Sequence, residues 1–294
     1  MNNTLKPLRG VRLLSLALNL PGPAALMRCQ QMGARCTKLE PPSGDPMGAY
    51  NPVAYAQLHQ GVKVTRADLK TEPGQRILHR QLAQTQVLLT SFRPSALHKL
   101  GLSWRALHQR YPNLSQVAIV GAPGARAEEP GHDVTYLADN DLITGMDLPP
   151  TLYADMGGSL MASEAVLQVT AQAQRKGCGV FVQVALSEAA RYLAWPRTWG
   201  LTQPGGAVGG AHAGYAVYAC KDGRVVVAAL EPHFARALCA AAGVALPHPA
   251  AMLQPAMRSA LAQFFLTQSR AQLQALALAH DIPLHTLAPA AGRG

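Results

Sequence analysis

Residues 11–40 read as a strand, a turn, a helix and a second strand, and no other feature of the chain restricts its fold as much. Val11-Arg12-Leu13-Leu14-Ser15-Leu16 is a short apolar run of the kind that forms a buried strand. Pro21-Gly22-Pro23 predicts a sharp turn, and Ala24 to Gly33 carries helical spacing that ends on a glycine cap. Arg35 to Glu40 predicts the second strand, closed by the turn cluster Pro41-Pro42-Ser43-Gly44-Asp45-Pro46. Two strands joined through a helix cannot form a tight hairpin. They pair in parallel through a right-handed crossover.

The alternation continues. Pro73 to Ala83 reads as helix, Gln86 to Thr90 as strand, Ser95 to Arg110 as two short helices and Gln116 to Val120 as another buried strand. Asp155 precedes a helix expected from Gly158 to Lys176, and Val180 to Ala185 follows as strand. The fold class is therefore a doubly wound α/β domain over residues 1–195. The glycine-rich stretch from Pro204 to Gly210 marks a linker, assigned to 196–214. A hairpin turning at Asp222-Gly223 and Ala-rich helices as far as Ile282 make a smaller α+β domain over 215–294.

Hydrophobic residues make up 49% of the chain and charged residues 14%, which excludes a disordered protein. The net charge is +10, but no run of five Lys or Arg occurs and no basic stripe is interleaved with aromatics. That distribution points away from nucleic acid and membrane surfaces and towards a small polyanion, although a solvated basic surface would look the same. The five cysteines, Cys29, Cys36, Cys178, Cys220 and Cys239, are scattered without CxxC pairs or zinc-like spacing, so a reducing cytoplasm and no metal are expected. No G-x-G-x-x-G follows the first strand, which disfavours a nicotinamide dehydrogenase.

Several segments, in order, resemble the family III CoA-transferase and α-methylacyl-CoA racemase superfamily (CaiB/BaiF-like). Leu8-Arg9-Gly10-Val11-Arg12 with Pro21-Gly22-Pro23 resembles its opening strand and turn. Ala67-Asp68-Leu69-Lys70 and Phe92-Arg93-Pro94 resemble two further segments. Pro130-Gly131-His132-Asp133-Val134-Thr135-Tyr136 is the closest match, completed by Ala154-Asp155-Met156-Gly157-Gly158 and Leu230-Glu231-Pro232-His233-Phe234.

The resemblance implies a Rossmann-like domain that binds coenzyme A, a small domain, and homodimers whose chains interlock. His132 favours the racemase branch, because transferases of the family carry an aromatic there. Racemases place a histidine and an aspartate on either side of the substrate α-carbon with a glutamate behind the histidine, which maps onto His132, Asp155 and Glu231. By the same resemblance Lys38, Leu69, Lys70, Arg93, Lys99, Asp133 and Tyr136 stand at coenzyme A-binding positions. His59-Gln60-Gly61-Val62-Lys63 replaces the family's NRGKR segment, and the stretch from His132 to Asp155 is shorter than in racemases. Family members also continue beyond the position of Gly294, so incomplete interlocking is expected.

The chemistry asks for such residues. Racemising a 2-methylacyl thioester removes the α-proton from one face and returns it on the other, so two bases that switch near neutral pH are needed. A desolvated carboxylate supplies the second. Gly157 and Gly158, at a helix start, are expected to offer N–H groups to the enolate oxygen. CoA transfer with Asp155 as nucleophile and His132 as bystander is the alternative enzyme, and a coenzyme A-binding relative without chemistry is the alternative class. Asp155, before two glycines and a helix, also admits the lesser reading of a helix N-cap, and His59, His79, His98, His108 and His280 read as surface residues.

Overall fold

Leu13 and Leu14 are each 1% exposed although they are adjacent, so β1 (Arg12–Ser15) is covered on both faces. A central parallel strand requires this, because crossover helices shield the sheet from both sides. The computed structural model describes residues 5–289, and by internal contacts the chain divides into two compact units, Met1–Ala194 and Trp195–Gly294. In the first unit β1 joins β2 (Arg35–Glu40), β3 (Lys63–Arg66), β4 (Val87–Thr90), β5 (Ser115–Val120) and β6 (Phe181–Ala185). All pairs are parallel and the order is β3-β2-β1-β4-β5-β6. This is the doubly wound arrangement expected from the sequence. The direction in which strands are added reverses between β1 and β4, which opens a crevice at the carboxyl ends of those strands.

The strand period of two sorts the apolar side chains. Leu13, Val87, Leu89, Val117 and Ile119 pack on one face, with Leu26 of α1 (Pro21–Gln31). Leu14 and Leu88 pack on the other, with Leu78 and Leu82 of a helix at Glu72–Leu82. Two short helices, α2 (Pro46–Tyr50) and α3 (Pro52–Leu58), link β2 to β3 and were not anticipated. The helix at Glu72–Leu82 is α4; α5 (Pro94–Lys99) and α6 (Trp104–Arg110) follow β4. After β5 come α7 (Asp133–Ala138), α8 (Tyr153–Lys176) and, beyond β6, α9 (Leu186–Leu193).

Two expected boundaries move. Pro21-Gly22-Pro23 is not a turn before α1 but its first turn, where a proline loses nothing because the early N–H groups have no helical partner. A Cβ on Gly22 would lie 2.1 Å from Cβ of Ala17, so only glycine lets α1 start this close to the end of β1. Asp155 does not precede a helix starting at Gly158; α8 begins at Tyr153 and Asp155 lies in its first turn.

The second unit has an antiparallel sheet, β7 (Tyr215–Cys220), β8 (Gly223–Ala228) and β9 (Leu284–Leu287), in that order. Val225, Val227, Leu238 and Phe265 form its core against helices at Pro232–Ala241, Pro255–Thr267 and Arg270–His280. The hairpin turns one position early: Lys221 and Asp222 form the loop and Gly223 pairs with Cys220. There a Cβ would meet the Leu287 carbonyl oxygen at 2.3 Å. The stretch expected as linker holds a helix at Trp195–Thr198 and a 3-10 turn at Ala207–Gly209. No helix among the described residues is long and apolar enough to cross a membrane.

Candidate active site

The loops that leave β1, β4 and β5 meet at the carboxyl edge of the sheet around a cavity of about 210 Å³. Asn19 borders it after β1, Arg93 after β4 and Gly121 after β5; His132, Tyr136 and Asp155 complete that side. Three sequence-predicted residues of the chemistry and binding sets, His132, Asp155 and Tyr136, thus share one crevice at the switch point, with Arg93 on its border.

Asp155 is placed by a partner distant in sequence. Its backbone N–H donates to Oδ1 of Asp133 at 2.9 Å, so the Asp133 carboxylate caps α8 in place of an N-cap side chain. Asp133, expected at a coenzyme A-binding position, is 5% exposed, with its carboxylate turned to this cap. Burial, and then the nearby Asp133 charge, push the Asp155 carboxyl up to about 6, against the pull of His132. A carboxyl there can serve as acid and base near neutrality.

His132 is exposed at the N-terminal end of α7, its N–H held by Oγ1 of Thr135 at 3.1 Å. Tyr136, one turn on, is 8% exposed, and its hydroxyl is raised by burial and by Asp155. Two glycines make room for that ring. A Cβ on Gly121 would lie 2.3 Å from the Tyr136 hydroxyl oxygen, and one on Gly131 would lie 2.7 Å from it. The Gly131-His132-Asp133 motif thus has a steric reason for its glycine and a capping one for its aspartate, and sets its histidine on the cavity.

Gly157 and Gly158 do not present free amides. Both lie past the first four residues of α8, where N–H groups are spent on the helix. Their lack of side chains serves packing: a Cβ on Gly158 would meet Cδ2 of Leu186 at 2.3 Å, and one on Gly157 would meet Cδ1 of Leu193 at 3.2 Å.

The other expected binding residues divide. Arg93 and Lys99 are exposed at the two ends of α5 and both act on Glu128, whose carboxyl is held low first by its hydrogen bonds from Ser95. Lys70 is exposed, and Leu69 is half-buried against the β4-side core. Lys38 departs from expectation. It is 0% exposed, paired with Asp45, 3.3 Å from Oε1 of Glu40 and 2.9 Å from Nε2 of His59. A cation so enclosed cannot reach a phosphate. His59 is likewise not a surface residue but 7% exposed, its Nδ1 2.7 Å from the Tyr55 carbonyl oxygen and its pKa lowered by burial. His79 and His108 are half-buried. Glu40, Asp45 and His59 bring metal-ligand atoms within 4.8 Å of one another, and the Lys38 ammonium is the cation set among them. Glu231 belongs to the second unit, exposed before the helix at Pro232–Ala241.

Asn19 was missed. The only signal was an asparagine just beyond a predicted strand, the residue after glycine that best tolerates left-handed backbone; its φ is 64°.

The chain matches the model of CoA-transferase family III over residues 8–292. A probable fatty acyl-CoA transferase of Mycobacterium tuberculosis is 29% identical over 64% of this chain and 52% of its own. The cinnamoyl-CoA:phenyllactate CoA-transferase of Clostridium sporogenes is 29% identical over 65% and 52%. Human alpha-methylacyl-CoA racemase is 26% identical over 90% and 73%. The chain thus spans about half the length of the first two relatives, 52% of each. A crystal structure of a hypothetical protein from Mycobacterium tuberculosis superposes with a TM-score of 0.82 at 23% identity, covering 95% of this chain and 85% of that one. A CaiB/BaiF family protein from Brucella suis gives 0.81 at 22%, covering 96% and 84%. At such identities the likeness speaks for the fold alone. With the family match running almost from end to end, the chain belongs to CoA-transferase family III.

Proposed function

We propose that the chain is an acyl-CoA enzyme that racemises or epimerises a 2-methylacyl-CoA by two-base transfer of the α-proton. The observation that carries this reading is a carboxyl raised to about 6, Asp155, on the same crevice as an exposed imidazole, His132. Near pH 7 Asp155 is largely ionised and takes the α-proton from one face, while His132 delivers a proton to the other. The electron pair of the broken C–H bond rests on the thioester oxygen between the two steps. Running the pair in reverse interconverts the enantiomers. Arg93, on the cavity border after β4, and Lys99, at the far end of α5, are the groups proposed for the phosphates of coenzyme A, and Glu231 is proposed to support His132. The homodimer expected from the resemblance belongs to the same proposal.

A second reading is supported by relatives named as CoA-transferases, among them the cinnamoyl-CoA:phenyllactate CoA-transferase. In it Asp155 attacks the thioester and coenzyme A leaves as thiolate; the thiolate then attacks the aspartyl carbonyl of the mixed anhydride, releasing the first carboxylate and leaving an aspartyl-CoA thioester, which passes coenzyme A to the incoming carboxylate by the same two steps in reverse. Incubating the protein with each enantiomer of a 2-methylacyl-CoA in heavy water separates the two. Deuterium at the α-carbon from both enantiomers is the expected result. Thioester transfer to an added carboxylic acid without exchange replaces it with the second reading, and neither activity leaves a coenzyme A-binding relative without chemistry.

A further inference from the structure

Both reactions proposed above gather negative charge on the thioester carbonyl oxygen, and Gly157 and Gly158 cannot meet it. The structure offers a different donor. Asn19 borders the cavity of Asp155 and His132 and is an exposed residue. Its backbone is fixed by a polar chain. The Asn19 N–H donates to both oxygens of Asp45, at 3.1 Å each. Asp45, 5% exposed, also accepts Met47 N–H at 2.9 Å and is ion-paired with the enclosed Lys38. Lys38 in turn donates to Nε2 of His59, whose Nδ1–H is directed at the Tyr55 carbonyl. On the other side of the same loop, Leu18 N–H donates to Oγ of Ser91 at 3.2 Å.

Buried ionic groups held this way are costly to desolvate and fix geometry more than they add stability. What this one holds is a single loop residue in the left-handed region. Glycine would accept that backbone as well, so φ alone does not call for an amide side chain. An asparagine combines the backbone tolerance with a neutral N–H donor, the group an oxyanion site uses when it is held in place in advance.

We infer that Asn19 is a further catalytic residue, its Nδ2–H donating to the thioester carbonyl oxygen as negative charge collects there, with Asp45 and Lys38 as positioning residues. This rests on the reading of Asp155 and His132 as the proton-transfer pair. In that reaction the α-C–H bond breaks, the proton passes to the base and the electron pair moves on to the carbonyl oxygen. Reprotonation at carbon returns it, so Asn19 stabilises charge and exchanges no proton.

Asn19→Gly keeps the left-handed backbone and removes only the donor. Its kcat for α-proton exchange should fall about 10²–10³-fold with KM for the acyl-CoA within about threefold of wild type. Infrared difference spectra of a 2-methylacyl-CoA labelled with ¹³C at the carbonyl supply a readout that does not need turnover. The carbonyl stretch of the bound thioester should lie lower in wild type than in Asn19→Gly. Equal frequencies overturn the inference even if wild type proves inactive, whereas a wild type that shows the frequency shift but no exchange or transfer overturns only the functional reading. Unchanged kcat in Asn19→Gly with an active wild type also overturns the inference. The positioning role is read by a double-mutant cycle: in an Asp45→Ala background Asn19→Gly should cost little further, and full additivity overturns that role. If Asp45→Ala does not fold, Ser91→Ala, which frees the other side of the loop, takes its place in the cycle.

Discussion

Asp133 acts on Asp155 in two ways that substitution can separate. Its Oδ1 holds the Asp155 N–H at 2.9 Å, and its charge adds to burial in raising the Asp155 carboxyl to about 6. Asp133→Asn retains a carbonyl acceptor for the N–H and removes the charge. The Asp155 carboxyl should then titrate lower, seen as an acid-ward move of its ¹³C resonance midpoint and of the acid limb of the rate profile. A midpoint that stays near 6 would leave Asp133 only its capping role. Asp155 itself has a stability consequence of definite sign. Its folded pKa lies above the ordinary 3.8, so its contribution is fully present below about 3.8 and is lost as pH rises through about 6. Asp155→Asn removes that loss. It should raise the melting point at pH 8 by the equivalent of about 1–2 kcal/mol, discounted for partial exposure, and change little at pH 4. Lower stability at pH 8 would contradict the burial-driven shift.

At the scale of elements, the approach of α8 to α9 depends on two glycines with unequal room. A Cβ on Gly158 meets Leu186 Cδ2 at 2.3 Å, and Leu186 also lines the cavity; a Cβ on Gly157 has 3.2 Å to Leu193 and 3.4 Å to Ala189. Gly158→Ala should therefore destabilise by about 1–3 kcal/mol through overpacking. Gly157→Ala should come out near neutral, because the helix propensity of alanine offsets its tighter contact. Equal melting points for the two variants would remove the packing explanation. The same contrast of local and distant causes explains what was legible in the sequence. β2 was read with its bounds intact because strand period and turn cluster are local signals. The start of α8 was not, since its cap comes from Asp133, 22 residues earlier. Lys38 resembles any strand cation until Asp45, Glu40 and His59 close around it, and β9 pairs with β8 from the far end of the unit. His132 and Asp155 were singled out through their motifs, and the structure puts both on one crevice. Asn19 had no motif, and its role depends on the backbone that Asp45 imposes.

Over the whole molecule, the 26 Lys and Arg against 16 Asp and Glu leave a net charge of +10, but the basic groups are not equally available to a ligand. Lys38 is enclosed with its counter-charges, and Arg126 is engaged by Glu129 and Asp139. Arg76, Arg191 and Arg270 pair with Glu72, Glu188 and Asp222. These pairs consume acids as well as bases, so the excess remains spread over the surface, and Arg93 carries part of it to the border of the crevice. Such a field should attract the phosphates of coenzyme A at long range and be screened as ions are added, because the Debye length shrinks from about 30 Å at 0.01 M salt to about 10 Å at 0.1 M. The dissociation constant of a 2-methylacyl-CoA, measured by calorimetry at fixed pH, should therefore rise steeply between those salt concentrations. The corresponding pantetheine thioester lacks the phosphates and should bind more weakly with almost no salt dependence. Arg93→Ala should flatten the coenzyme A curve towards the pantetheine one, while Arg191→Ala, which removes an ion-paired arginine, should leave its slope nearly unchanged. If both thioesters respond alike to salt, the affinity comes from the acyl side of the crevice, and Arg93 and Lys99 lose their assignment to the phosphates.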